Sequence, residues 1–242
     1  MRIRSHLFIW LAILIFLIGE GIGLSLSGAV LWGEIEVRTR SSFTASENMP
    51  LDCPLMLSSF ETGTIQAEIS NSTSREIKPV VTTEISRIGG ESRSSQTFIL
   101  APTESANAQW TVNSSNTIFG NLILVSVFQS QYRDNPSRLG ACGILLFDLF
   151  GLTGEQAFFV IFAAAIACLA AGAGLWFLHN KPVNDQNINI VRAGILLAVM
   201  NTVSLLCTFP RWWGFILMLD AFSLLAMSVI LVDFILFSQK RT

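Results

Sequence analysis

The chain of 242 residues is 51% hydrophobic and only 13% charged, and its mean hydropathy is +0.56, whereas soluble domains carry about 25% charged residues. This composition argues against a soluble globule. The 15 basic and 17 acidic residues give a net charge of −2 without charge runs, which speaks against a nucleic-acid surface or a charged tail.

The first expected element follows a basic stretch, Met1-Arg-Ile-Arg-Ser-His, and is apolar over residues 7–32. A helix needs roughly 20 apolar residues to cross a bilayer, so this run predicts span one. A secretory signal opens in the same way, but its apolar core is about 7 to 15 residues and ends at a small-x-small cleavage site. The longer run and the missing site predict a retained anchor. Within it Glu20 is an acid at membrane depth, where a charge costs at least about 2.5 kcal/mol on insertion scales. Gly19 and Gly23 have the small-xxx-small spacing that lets helices approach closely in lipid.

Residues 33–140 change character to short runs rich in Val, Ile, Thr and Phe, separated by Ser, Asn, Gly and Pro. That pattern predicts an all-β block with strands at 34–38, 55–60, 64–70, 78–85, 95–100, 108–113 and 119–129, arranged as a sandwich. Thr64-Ile-Gln-Ala-Glu-Ile-Ser alternates apolar and polar residues as a half-buried strand requires. Trp110 is expected in the core of this block.

Cys53 opens the block and Cys142 follows its last expected strand. If the block is extracytoplasmic, both thiols lie where disulfides persist, and a Cys53–Cys142 bridge or two free thiols are both open. Asn71-Ser-Thr and Asn113-Ser-Ser are glycosylation triplets in a eukaryotic secretory route. His6 and His179 are the only histidines. No metal site, cofactor or Ser-His-Asp site is therefore expected in the block.

Residues 141–155 are read as an interfacial neck, because the apolar run at 141–150 is too short to span and contains Asp148. Three further spans are predicted at 156–178, 190–209 and 213–237. In span two Ala163, Ala167 and Ala171 form one small-residue stripe and Ala164, Cys168 and Gly172 the next. These faces are expected to pack spans one and two together or to dock another membrane protein. Cys168 and Cys207 are read as small packing residues. Asp220 is the second acid at membrane depth, in span four.

Arg2, Arg4, Lys181, Arg192, Lys240 and Arg241 all fall on one face of a four-span topology. The positive-inside rule makes that face cytoplasmic. Both termini are then cytoplasmic and residues 33–140 extracytoplasmic, in a cell membrane. Tryptophan, which prefers the membrane interface, agrees with this orientation. Trp10 and Trp176 fall near inner ends, and Trp32, Trp212 and Trp213 near outer ends.

Two resemblances follow from particular residues and one from the order of the elements. Phe98-Ile-Leu-Ala-Pro-Thr-Glu-Ser and Ala108-Gln-Trp-Thr-Val resemble a strand, turn and strand of bacterial extracellular immunoglobulin-like or fibronectin-type-III-like modules over residues 50–135. That resemblance implies an adhesion or spacer module. The order of spans and block is similar to claudin-like proteins in topology alone, since the Trp-Gly-Leu-Trp-Cys-Cys pattern is absent. Ser46-Glu-Asn-Met-Pro-Leu resembles the serine region of membrane-anchored signal peptidases, which implies a Ser/Lys pair. Lys78 is the only Lys in the block, and the second motif of that family is lacking.

The fold class is thus membrane α + β, with four transmembrane helices and an immunoglobulin-like sandwich between helices one and two. The expected function is non-catalytic: an accessory, scaffold or adhesion-type subunit whose partners are the bilayer and proteins, or a second copy of itself. The alternative is a transporter or ion-coupled component that uses Glu20 and Asp220.

Overall fold

The apolar runs fold as helices and the Val-, Ile- and Thr-rich block as strands. The computed structural model describes residues 2–41, 43–179 and 188–239. The orientation markers Lys181, Lys240 and Arg241 lie outside the described residues, as do the side chains of Arg2, Arg4, His6, His179 and Asp233. The helices are α1 (Arg2–Arg40), α2 (Gly154–His179), α3 (Ile188–Cys207) and α4 (Trp213–Gln239). Two are long and apolar enough to cross a membrane by length and composition, over Phe8–Arg40 and Gly154–Leu178. The described apolar stretches Arg192–Cys207 and Trp213–Val229 are shorter. The chain forms two compact units, residues 1–31 with 159–242, and residues 32–158.

The described part of residues 32–158 contains nine strands in two sheets: β1 (Glu47–Asn48), β2 (Leu51–Asp52), β3 (Met56–Leu57), β4 (Thr62–Ser70), β5 (Val80–Arg87), β6 (Gly90–Thr97), β7 (Ser105–Asn113), β8 (Leu122–Gln129) and β9 (Arg138–Leu146). One sheet has the order β1-β9-β8-β5-β6, with β3 also on β9, and the other is β2-β4-β7. The alternation in β4 buries Ile65, Ala67 and Ile69, and β7 answers with Ala108, Trp110 and Val112. Antiparallel register sets Ile65 opposite Trp110 and Ala67 opposite Ala108. Val81, Ile123, Val125, Val127 and Ile144 from the larger sheet complete the core. Each such aliphatic side chain stabilises the fold by roughly 1.5–3 kcal/mol. Cys53, just after β2, is bonded to Cys142 in β9, so the bridge ties one sheet to the other through the core.

Three expectations are corrected. The strand expected at 34–38 is helix, because α1 continues to Arg40. Glu36 and Arg40 pair one turn apart, Arg38 and Arg40 suit the C-terminal end of the helix dipole, and Val37 is buried against Leu122 and Leu124. The strand expected at 95–100 starts earlier, as β6, and every residue of it is exposed. Ala141–Leu146, expected within the neck, instead completes β9, a strand flanked by β8 on one side and by β1 and β3 on the other. With core on one face and α1 on the other, β9 reads as an unbroken apolar run. Gly143 lies so close to Gly33 of α1 that any Cβ there would collide with its backbone.

Asn71 is buried, and its amide donates to the carbonyls of Arg75, Leu100 and Ala101 at 2.7–3.2 Å. The nitrogen that a glycan would occupy is thus used to organise a loop. Asn113 is exposed, and its side-chain oxygen caps the 3-10 turn Ser114–Asn116.

Candidate functional site

In the helical unit, polar residues recur at spacings of three and four, which places them on one face of each helix. Glu20, Gly23 and Ser27 do so on α1, Asn201, Ser204 and Thr208 on α3, and Asp220 and Ser223 on α4. All the polar members are buried. Asn201 Nδ2 donates to Glu20 Oε2 at 2.8 Å and to the Glu20 carbonyl at 3.3 Å. Ser204 Oγ donates to Asp220 Oδ1 at 2.6 Å, and Ser27 Oγ to Asp220 Oδ2 at 2.9 Å. Ser27 also lies 3.0 Å from the Gly23 carbonyl.

The two acids picked out from the sequence therefore occupy separate stations. Glu20 joins α1 to α3, and Asp220 joins α4 to both. Both Asp220 oxygens accept a hydrogen bond, whereas Glu20 Oε1, Asn201 Oδ1 and Ser223 Oγ have no hydrogen-bond partner among the described residues. Among the described residues no group of three His, Cys, Asp or Glu could hold a metal. Ser27, Asn201 and Ser204 were not singled out in the sequence, although their spacing within apolar runs was available as a signal.

The small residues divide differently from expectation. A Cβ on Gly19 would lie 2.9–3.0 Å from Leu169 N and Ala165 O of α2, and one on Gly172 2.7–2.8 Å from Phe16 N and Ala12 O of α1. Gly23 faces the Asn201 amide instead. Ala163, Ala167 and Ala171 are exposed, so the contact stripe of α2 contains Ala165, Leu169 and Gly172. Trp10, Trp32, Trp212 and Trp213 are also exposed, and Trp176 is half-buried.

On the sandwich, the β5–β6 hairpin tip and the β7–β8 turn form a shallow cleft lined by Arg40, Arg87, Ile88, Glu91 and Phe119. Ile88 is 77% exposed and Phe119 61%. Arg40 lies over the Phe119 ring at 4.9 Å. The serine-peptidase resemblance finds no dyad among the described residues: Ser46 Oγ donates to Ser137 O at 3.0 Å, and Lys78 pairs with Glu76 at 3.6 Å.

The start of α2 is held by a reciprocal cap. Gln156 N donates to Thr153 Oγ1 and Thr153 N to Gln156 Oε1. Glu61 Oε2 accepts from Gly154 N at 2.6 Å, Ser58 N at 2.7 Å and Ser58 Oγ at 2.8 Å. Burial raises the Glu61 carboxyl, but these donors outweigh it and hold the group below the usual carboxylate range. Hydrogen bonding by Ser59 likewise lowers Asp148, whose Oδ1 accepts from Ser59 N at 2.7 Å.

No family model matches the chain, and no curated protein matches it. Among solved structures, it is similar over 44% of its length to a Paenibacillus sp. cycloisomaltooligosaccharide glucanotransferase, at 19% identity and a TM-score of 0.35, spanning 15% of that chain. A CARDB domain of a Pyrococcus furiosus protein, solved with di-metal ions, matches 44% of this chain at 10% identity and a TM-score of 0.33, with 95% of that domain covered. A Bacteroides uniformis beta-glucuronidase matches 41% at 13% identity and a TM-score of 0.32, with 13% of it covered. At these scores the likeness assigns neither a family nor an activity.

Proposed function

We propose that the chain is a four-span membrane protein whose disulfide-bonded sandwich lies outside the cytoplasm and binds a protein partner, without chemistry of its own. The observation that carries this reading is the inverted polarity of the helical unit. Glu20, Ser27, Asn201, Ser204 and Asp220 are inside, while Leu14, Val160, Leu196, Phe215, Phe222 and Leu225 are exposed. Water would penalise that arrangement, and hydrocarbon rewards it. The Cys53–Cys142 bridge supports an oxidising compartment for the sandwich. The Ile88, Phe119, Arg40 and Arg87 patch supports an interaction role, since aromatic and Arg anchors dominate protein interfaces.

The test is a photo-crosslinking amino acid at Ile88 or Phe119 in native membranes. The reading expects one reproducible protein adduct, lost in Arg87→Glu and retained in Glu20→Gln and Asp220→Asn. Absence of any adduct at both positions would overturn the interaction role.

The unpaired Glu20 Oε1 and Asn201 Oδ1 favour one second reading, an ion-coupled component. It requires Glu20→Gln to abolish an ion-dependent activity with folding and assembly intact. The serine hydrogen bonds to both oxygens of Asp220 favour a structural role for that acid.

A further inference from the structure

Beside the start of α2, two loops of the sandwich unit present bare aromatic rings. Phe150 is 97% exposed, Phe60 62% and Phe147 45%. Phe150 also has a φ of +49°, followed by Gly151 at +76°. A bulky residue rarely adopts that left-handed conformation. Phe119, at the tip of the sandwich, also combines a positive φ with an exposed ring, so it is the near-complete exposure of Phe150 beside an apolar stretch that marks it.

Part of the backbone of the same loops is bonded from within, while the amides of Phe60, Asp148, Leu149, Phe150 and Gly151 donate to none of the described residues. Ser58 N donates to Glu61, Ser59 N to Asp148, Thr153 N to Gln156 and Gly154 N to Glu61. Phe147 N donates to Leu57 O, Glu61 N to Ser58 O and Leu152 N to Leu149 O. An unpaired amide in hydrocarbon has no water to bond, so these loops suit the hydrated headgroup boundary rather than the hydrocarbon core. The chain passes directly from this loop into the apolar stretch Gly154–Leu178.

Resting on the membrane reading above, we infer that Phe60, Phe147 and Phe150 form a collar that inserts its rings into the lipid interface. The carboxylate of Asp148, adjacent to Phe147, stays at headgroup level and limits the depth. The occupant of this surface is lipid, because exposed Phe rings beside an apolar span enter the headgroup and acyl boundary while a neighbouring carboxylate stays in the headgroups. The collar also gives the strained Phe150 backbone a purpose.

The test uses full-length protein in phosphatidylcholine and phosphatidylglycerol liposomes, with Cys168→Ala and Cys207→Ala as background. Nitroxide labels are placed one at a time through Phe150→Cys and Phe60→Cys, with Ser94→Cys on β6 as the aqueous reference and Phe222→Cys on α4 as the lipid reference. Collision rates with oxygen and with a water-soluble nickel chelate are compared. The inference expects oxygen to dominate at Phe60 and Phe150, with a ratio several-fold above that at Ser94. A chelate-dominated signal at both collar positions, with Phe222 still oxygen-dominated, overturns the collar and leaves the membrane reading standing. A chelate-dominated signal at Phe222 as well overturns the membrane reading, and the collar with it. Shielding of Phe60 and Phe150 from both reagents also overturns the collar, because the rings would then be covered by protein.

Discussion

A methyl group on Gly23 would collide with the Asn201 amide, whereas nothing lies within 4 Å of one on Gly21. The pair Gly23→Ala and Gly21→Ala therefore separates packing from helix propensity. Overpacking costs about 1–3 kcal/mol, so Gly23→Ala should unfold earlier in a detergent denaturation series, while Gly21→Ala should match or exceed wild type. The Asp220 station gives a second prediction. Ser27→Ala and Ser204→Ala should each cost about 0.6–1.7 kcal/mol, the range for hydrogen bonds between membrane helices. The double variant should cost more than the sum, because it leaves a buried carboxylate without donors. Denaturation of the single and double variants checks this, and strict additivity would count against a shared station. The sequence made Glu20 and Asp220 visible because acids in apolar runs are rare. Their partners were less visible, because a serine or asparagine in a span is common and only its phase on the helix reveals it.

The elements of the sandwich owe their legibility to which faces are buried. β4 and β7 alternate and were located from sequence within a few residues, because one face meets the core and the other solvent. β9 does not alternate, so its part from Ala141 onward carries no strand signal, and β6 is polar throughout, so no apolar face marks its bounds. At the end of α1, Ile35 and Val37 alternate with charged residues as in a strand, and only burial of Val37 on β8 decides for helix. The Cys53–Cys142 bridge closes a separation of 89 residues, worth roughly 4–5 kcal/mol in the chain-entropy model. Cys53→Ser with Cys142→Ser should lower the sandwich's unfolding temperature by many degrees without changing its strand content, as read by circular dichroism. Glu61 caps α2 with a carboxyl held below its usual range, so its contribution is present above about pH 4.3, the unfolded value, and is lost as pH falls through the lower folded value. Wild type should therefore lose thermal stability below about pH 4.3 more steeply than Glu61→Gln. Parallel melting curves for the two proteins would contradict the cap.

At the scale of the whole molecule, the two units have opposite polarity. Polar groups lie inside the helical unit and apolar groups outside it, while the β unit buries its apolar residues and carries a disulfide. The proposed membrane setting, with the β unit on an oxidising side, accounts for both polarities. Composition and the phase of Ser27, Asn201 and Ser204 within the apolar runs carry much of this division in the sequence, whereas the extension of α1 to Arg40 rests on the burial of Val37. The most direct measurement is cysteine accessibility in right-side-out membrane vesicles, again with Cys168→Ala and Cys207→Ala. A membrane-impermeant maleimide should modify Ser94→Cys on β6 in sealed vesicles and Lys181→Cys only after they are opened. Modification of Lys181→Cys in sealed vesicles, or protection of Ser94→Cys until opening, would contradict the account.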